Sequence, residues 1–380
     1  MKIAFIAPTY LPSRRANTIQ VMKMAQAMAV LGHEVKVWVP GEPPESEDLW
    51  KEISRHYGLR YRFEFEWLPA RVWLRRYDYG FASVKRAREW HADLIYTRLP
   101  QAAAIASLCR VATVYEIHDV PQGVFNPWLL TRFLKGKGGR GLVVITQTLK
   151  DALAPWMNRS SLQVIIAPDG VDLVRYQSLP SPEKARKSLP KAFRLSPSDF
   201  VAGYSGHLYP GRGAELILDM AANLPEVTFL LVGGDPEDVE RLRAESLSRG
   251  LDNLILTGFI PNADLPLYQA SCDILLMPYQ KRVAASSGGD IANYLSPMKV
   301  FEYLACGRAI LSSDLPVLRE VLNDSNSLLL PAEEPATWVA AIRNLRANPH
   351  LRQALSAQAL KNAQLYSWET RAAKILTLVG

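Results

Sequence analysis

The sequence predicts an α/β chain built from two Rossmann-like halves, and three observations carry that prediction. Apolar, β-rich runs alternate with segments of helical periodicity through residues 2–167, the rhythm of βαβ units and a mostly parallel sheet. A run rich in Pro, Ser and Lys at 177–199 breaks the rhythm, which restarts at residue 200. The length of 380 residues is long for one hydrophobic core and natural for two domains. Two such halves imply a deep cleft between them, the default place for catalysis.

In the first half, residues 2–7 read as a buried strand. Residues 18–31 read as a helix through Val21, Met24, Ala25, Met28 and Leu31, stopped at Gly32-His33. A strand at 34–39 precedes the acidic, turn-rich 41–48, GEPPESED. A short strand at 93–96, an Ala-rich helix at 101–109 and a strand at 112–118 come next. Strands at 142–146 and 163–167 enclose a helix at 149–156. In the second half, a strand at 200–204 enters Ser205-Gly206, followed by a helix at 214–223 and a strand at 228–232 closed by Gly233-Gly234. Strands at 254–257 and 274–277 continue the series. A helix at 296–305 feeds the strand 308–311, and 327–330 is a last short strand. Helices at 335–347, 351–364 and 368–378 end the chain.

The composition, 48% hydrophobic and 21% charged, suits a folded soluble protein. Cys109, Cys272 and Cys306 form no CxxC pair, which argues against a structural zinc site or a disulfide framework and for a reducing compartment. Residues 1–8 read as a buried strand rather than a signal peptide, and no uninterrupted apolar run reaches the ~18 residues of a membrane span. The expected location is the cytoplasm. The net charge of +7 lies in the first half, where residues 1–180 hold 24 Lys and Arg against 16 Asp and Glu. Much of the excess falls in 55–88, among Tyr61, Phe63, Phe65, Trp67, Trp73, Tyr77, Tyr79 and Phe81. Interleaved basic and aromatic side chains suit an anionic membrane surface. They could also suit nucleic acid, although no single-strand recognition motif accompanies them. An ordinary solvated helix face with its aromatics turned to the core remains equally open.

Candidate chemistry gathers at strand ends. The turn at 12–18, PSRRANT, has no GxGxxG and no GxxxxGK[ST], which weakens a dehydrogenase or a P-loop nucleotidase. The matching turn of the second half holds Gly206, His207, Gly211, Arg212 and Gly213. Its glycines make room for a ligand, and Arg212 offers phosphate a fork of donors; a plain glycine turn is the alternative. His118, in YEIHDVP, ends a strand where open sheets place ligands, or serves the structure alone. Asp119 could orient it or cap a helix. In 296–313, SPMKVFEYLACGRAILSS, Lys299 and Glu302 lie one helical turn apart. Glu302 suits vicinal hydroxyls, while Lys299 can meet phosphate or pair with Glu302.

These segments resemble the glycosyltransferase family 4 enzymes, also called group 1, which have the GT-B fold of two Rossmann-like domains facing across a deep cleft. The resemblance runs over nearly the whole chain. Its most specific parts are 296–313, GHLYPGRGAELIL at 206–218 and APDGVDLVRY at 167–176, supported by 227–234, 256–279, IHDVP at 117–121 and LGHEVKVWVP at 31–40. YSWETRAAKIL at 366–376 resembles the family's last helix, which returns to the N-terminal domain. The implied division is an acceptor-binding domain at 1–176, a connection at 177–199, a nucleotide-sugar domain at 200–364 and the returning helix at 365–380.

The resemblance also implies roles. The family's phosphate-binding pair of arginine and lysine falls on His207 and Arg212, a departure at His207. The second glutamate of its E-x7-E signature falls on Glu302, the ribose ligand, and the first falls on Tyr294, a second departure. Backbone contacts to diphosphate fall near Pro297 and Met298, with Lys299 close by; Pro297 has no N–H, which favours Met298. Gly258, Phe259 and Ile260 flank the base. His118 lies near the transferred sugar, and His118, Arg212 and Lys299 are the implied catalytic residues. The family's glycine-rich N-terminal loop falls on 13–17, where its glycine pair is missing.

The implied reaction moves a sugar from a nucleotide-diphosphate donor (a UDP- or GDP-sugar) to an acceptor hydroxyl with retention, after domain closure that excludes water. Neither a prosthetic group nor a metal is expected, in keeping with the lack of a DxD sequence. The acceptor would be a glycan or a lipid-linked glycan in polysaccharide or glycolipid synthesis, reached at the inner face of the membrane through 55–88, with no nucleic-acid partner. A nucleotide-sugar 2-epimerase of the same fold and a non-catalytic nucleotide-sugar-binding protein are the alternatives.

Overall fold

The computed structural model describes residues 1–158, 160–284 and 290–380. It divides into two compact units, one of Met1–Asp169 with Trp368–Gly380 and one of Gly170–Ser367.

The first unit runs β1 (Lys2–Ile6), α1 (Ala16–Val30), β2 (Glu34–Pro40), α2 (Leu49–Tyr57), β3 (Glu64–Leu68), α3 (Tyr77–Glu89), β4 (Leu94–Thr97), α4 (Pro100–Leu108), β5 (Thr113–Ile117), α5 (Phe125–Lys135), β6 (Gly139–Val144), α6 (Gln147–Ala152), α7 (Ala154–Met157) and β7 (Gln163–Ile166). The seven strands form one parallel sheet in the order β3-β2-β1-β4-β5-β6-β7. The central strands β1 and β4 are buried almost throughout, as expected of a parallel sheet covered on both faces.

Elements α2, β3, α3 and α5 are additions to the sequence reading. Strand β3 lies at the sheet edge and alternates. Glu64 and Glu66 reach Lys36 at 3.0 Å and Arg86 at 3.3 Å, while Phe65 and Trp67 join Trp50 and Phe63 in an aromatic cluster with ring centroids 5.0 to 6.2 Å apart. The charges blunt an edge that would otherwise invite strand pairing. The basic aromatic stretch is thus divided. Phe63 and Tyr79 are buried, whereas Tyr61, Val72, Trp73 and Phe81 are exposed. The helix expected at 149–156 is interrupted after Ala152, because Pro155 has no N–H to continue the ladder.

The second unit runs α8 (Pro182–Ser188), β8 (Val201–Ser205), α9 (Ala214–Asn223), β9 (Thr228–Val232), α10 (Pro236–Ser248), β10 (Leu254–Leu256), α11 (Leu265–Ala270), β11 (Ile274–Met277), α12 (Met298–Cys306), β12 (Ala309–Ser313), β13 (Leu328–Leu330), α13 (Pro335–Ala347) and α14 (Pro349–Ala363). Its parallel sheet has the order β10-β9-β8-β11-β12-β13. Apolar cores fill both faces, one around Leu275, Phe301 and Leu304, the other around Ile217, Phe229 and Trp338. The run 177–199 packs into this unit. Ala185 of helix α8 and Leu189 just beyond its end are buried in the first core. Arg186 donates to the carbonyls of Ser271 (2.9 Å) and Pro197 (2.7 Å) and pairs with Asp273.

Both sheets reverse their winding direction once, between β1 and β4 and between β8 and β11. Open α/β sheets bind ligands outside the strand carboxyl ends at such a switch point. The terminal helix α15 (Trp368–Leu376) belongs to the first unit and lies against α1.

Candidate functional site

The second unit gathers its candidate residues at the carboxyl end of β8, beside β11 and the start of α12. Strand β8 ends at Ser205. Gly206 follows with φ +136°, and a Cβ there would lie 2.8 Å from the Lys299 ammonium. Its lack of a side chain therefore leaves room beside that charge. Gly211 (φ +80°) approaches so closely that a Cβ would strike the Arg282 carbonyl. That approach pins the 206–213 turn through Gln280 N–H to the Gly211 carbonyl (2.9 Å) and Ala284 N–H to the Pro210 carbonyl (3.1 Å).

The pinned turn holds Arg212 over Tyr279. The guanidinium donates to the Tyr279 hydroxyl at 2.8 Å and to the Ala284 carbonyl at 3.4 Å, and it lies 5.2 Å from the Tyr279 ring centre. Lys299, on the first turn of α12, is buried. Its Nζ lies 3.7 Å from the Tyr204 ring centre and 5.2 Å from that of Tyr279, and it has no hydrogen-bond partner among the described residues. Burial pushes the Lys299 amine far below its ordinary value, and the charge on Arg212 adds to the fall. Two basic side chains therefore share one aromatic-walled site. Cation–π contact with the two tyrosines offsets part of their desolvation, on the order of 2 kcal/mol each. An anion would offset the rest.

Of the two sequence readings of Lys299, pairing with Glu302 is not what the structure shows. Glu302 accepts instead from Gln269 Nε2 of α11 at 3.1 Å. Gln269 also donates to Ser205 Oγ at 3.0 Å and accepts from the Tyr176 hydroxyl at 2.8 Å. Ser205 N–H donates to the Tyr303 hydroxyl at 2.8 Å. Glu302 is thus oriented and half-buried, with acceptor capacity left for hydroxyls. Pro297 stands at the N-cap of α12 without a side-chain cap. The Met298 amide is the helix's first donor, at the end that favours negative charge.

His207 stacks on Tyr209, with ring centroids 4.7 Å apart and 8° between planes. Gly258 pairs with Gly233 beyond β9 and β10, and Gly233 lies against the Gly206 carbonyl. That brings 258–260, with half-buried Phe259 and Ile260, to the same strand ends. Tyr294 is half-buried in the turn before α12.

The first unit carries a separate cluster around His118, just beyond β5. The buried Glu116 faces it, and the two side chains are hydrogen-bonded through His118 Nε2 and Glu116 Oε1. Glu116 also accepts from the Tyr96 hydroxyl, from Gln20 Nε2 at 2.8 Å and from Arg371 of α15 at 2.8 and 3.3 Å. Burial alone would raise the Glu116 carboxyl, but Arg371 and His118 hold it below its ordinary value. Burial, then Arg98, push His118 down to about 4 against the pull of Glu116. Burial raises Asp169 to about 7.

Glu116, His118 and Asp169 offer ligand atoms within 4.8 Å of one another. However, Glu116 is already neutralised by Arg371, and the charges of Arg98 and Arg371 act on Asp169. That surrounding suits an anionic or hydroxylic ligand better than a cation. Among the described residues Asp119 neither bonds His118 nor caps a helix; it accepts from its neighbour Val120 N–H at 2.8 Å. The sequence reading missed Tyr204, Gln269, Tyr279 and Glu116. Only Glu116 left a signal, an acid two positions before His118 in an otherwise apolar strand, where period-two geometry places both on one face.

Comparison with known proteins adds the family. Residues 199–348 match the model described as "Glycosyl transferases group 1", and residues 18–175 match "Glycosyltransferase Family 4". A 2-deoxystreptamine glucosyltransferase of Streptomyces kanamyceticus is 26% identical, covering 68% of this chain and 74% of its own length. A phosphatidyl-myo-inositol mannosyltransferase of Mycolicibacterium smegmatis is 22% identical over 99% of this chain and 92% of its own. HepE of Anabaena in complex with UDP-glucose has a similar fold, with a TM-score of 0.72 and 19% identity over 99% of this chain and 98% of that one.

Proposed function

Because this chain belongs to the group 1 glycosyltransferases of family 4 and has the GT-B fold, we propose that it takes a sugar from a nucleotide-diphosphate donor held by the second unit. It transfers the sugar, with retention, to a hydroxyl of a glycan or lipid-linked acceptor. The observation that carries the reading is the buried Lys299 ammonium, which has no hydrogen-bond partner among the described residues and sits beside Arg212. A diphosphate supplies the anion that these two cations lack. Arg212, Lys299 and the Met298 amide neutralise the charge that grows on the leaving diphosphate. His207 adds a donor to the same group. Glu302 accepts from the ribose hydroxyls, and Gly258, Phe259 and Ile260 flank the base. His118 serves the transferred sugar.

In the transfer, the bond from the anomeric carbon to the phosphate oxygen breaks with its electron pair going to the phosphate. The acceptor oxygen bonds to the same carbon on the same face, and its proton passes to the departing phosphate. No carboxylate pair suited to double displacement lies at the second unit's site among the described residues, where Glu302 is engaged with Gln269.

The UDP-glucose held by HepE supports a uridine donor. The phosphatidylinositol acceptor in the name of the mycobacterial relative supports a lipid-linked acceptor. No helix among the described residues is long and apolar enough to cross a membrane. Peripheral contact with an anionic cytoplasmic leaflet is supported by exposed Val72 and Trp73 beside Arg71 and Arg75. Exposed Phe125 and Trp128 extend the patch, with Arg75 5.5 Å from the Phe125 ring and Arg132 5.1 Å from the Trp128 ring.

The test is ligand-induced stabilisation with UDP, GDP and inorganic pyrophosphate. A bound nucleotide at a hundredfold excess over its Kd stabilises by about 2.7 kcal/mol, a clear rise in the unfolding midpoint. The rise is expected for wild type and largely lost in Arg212→Ala. A protein unmoved by all three ligands overturns the donor reading.

A further inference from the structure

The first unit spends a buried carboxylate and a buried guanidinium on one imidazole. Glu116 is fully enclosed, and its two oxygens receive Tyr96, Gln20, Arg371 and His118. Arg371 is itself locked. Its Nε donates to the Pro168 carbonyl at 2.9 Å and its Nη2 to the Ala167 carbonyl at 3.0 Å. Arg98 donates to Gln20 Oε1 at 3.0 Å, so Gln20 must present its amide nitrogen to Glu116. Every donor around Glu116 is therefore fixed in direction. A carboxylate held ionised by Arg371 accepts from the one ring nitrogen it faces, and that nitrogen is Nε2. His118 Nδ1 carries no hydrogen bond among the described residues.

We propose that Glu116 is a positioning residue: clamped by Arg371 of the terminal helix, it fixes His118 as the Nε2–H tautomer and leaves Nδ1 as an acceptor for a sugar hydroxyl. The carboxylate–histidine arrangement settles tautomer and ring orientation, as such partners do wherever one imidazole nitrogen must be an acceptor. His118 stays neutral through the neutral range, since burial and Arg98 outweigh Glu116, and a neutral ring has one acceptor nitrogen to place. The proposal also gives α15 a role beyond packing, because Arg371 brings the chain's last helix to the carboxylate behind His118. The sugar-facing part of the inference rests on the reading of His118 under Proposed function; the tautomer does not.

Long-range proton–nitrogen NMR of the whole protein, labelled with 15N-histidine, separates the two. His118→Gln identifies the ring by the signal pair it removes. Wild type is expected to show Nε2 protonated and Nδ1 bare at neutral pH. Glu116→Gln, whose amide can either accept from or donate to Nε2, is expected to give a mixture of tautomers with no change in ring charge. An Nδ1–H ring in wild type, or an unchanged ring in Glu116→Gln, overturns the proposal whatever the enzyme's activity.

UDP release from UDP-glucose supplies the second arm. Glu116→Gln is expected to lower kcat at least tenfold with little change in UDP affinity, and Glu116→Asp to recover part of it. Adding Glu116→Gln to His118→Ala should cost nothing further, since residues acting through one group are not additive. If the tautomer shifts while both single variants keep wild-type turnover, positioning stands and the sugar role of His118 fails.

Discussion

Replacing Lys299 with methionine should stabilise this protein and weaken its grip on nucleotide. The ammonium is enclosed by Tyr204 and Tyr279, has Arg212 as a near cation and has no hydrogen-bond partner among the described residues. Replacing buried charges by apolar side chains of similar volume gains about 1–4 kcal/mol where the change is favourable. Removing the cation–π attraction to the two tyrosine rings takes back about 2 kcal/mol of that. The net effect spans a loss of about 1 to a gain of about 2 kcal/mol with its centre on a small gain, and at most roughly 4–8 °C in the unfolding midpoint of a domain of this size.

The sign with pH is fixed by the depressed amine. A base whose folded-state affinity for protons is lowered costs stability below its folded pKa. The cost fades as pH rises toward the ordinary lysine value of 10.5. The advantage of Lys299→Met should therefore shrink as the buffer is made alkaline. Against UDP the same variant loses a charge-assisted hydrogen bond of about 1.5–3 kcal/mol, a roughly tenfold to hundredfold rise in Kd. Thermal unfolding across pH and calorimetric titration with UDP read both quantities. A lower midpoint together with an unchanged Kd would show that Lys299 is a structural cation, and the argument from its missing anion would fall.

The same buried amine makes nucleotide binding proton-linked: UDP should restore the ammonium, so titrations at alkaline pH in buffers of different ionisation enthalpy should show net proton uptake, and none in Lys299→Met. Glu302→Gln should bind UDP about tenfold or more weakly while leaving the affinity for inorganic pyrophosphate unchanged, since only the ribose contact is altered; equal losses for both ligands would move Glu302 out of the ribose site. Arg371→Leu strands the buried Glu116 without its cation, a loss of about 3–5 kcal/mol visible in denaturant unfolding, and a smaller loss in Glu116→Gln/Arg371→Leu would confirm that the stranded charge is the cause. Gly206→Ala places a methyl 2.8 Å from the Lys299 amine in a left-handed backbone, so UDP affinity should fall more than stability does.

Much of the fold was legible because a parallel sheet writes its strands as apolar runs, and a restart of the rhythm at 200 marks a second sheet. Besides α10 and α11, what escaped included elements whose pattern is shaped by an edge. Strand β3 alternates Glu with aromatics and reads as a basic aromatic surface until its neighbours Lys36 and Arg86 are in place. Helix α5 mixes exposed Phe125 and Trp128 with buried Leu129, Leu130 and Phe133, so apolar residues on both faces blur its periodicity. In the candidate site, glycine spacing and the single turn between Lys299 and Glu302 were enough to single out residues that the structure gathers at the carboxyl end of β8.

The sequence by itself determined two parallel α/β sheets, the strand ends where the candidate residues gather, and the family. Local periodicity and short motifs are enough for each. Only the tertiary structure decided how the charges are paired. Glu302 is taken by Gln269 of α11, and Lys299 is left without a hydrogen-bond partner among the described residues. Glu116 is joined to Arg371 across 255 positions of chain, which leaves His118 with one defined acceptor. Charge pairing over such separations depends on which helices and strands come to lie side by side, and spacing along the chain does not encode that.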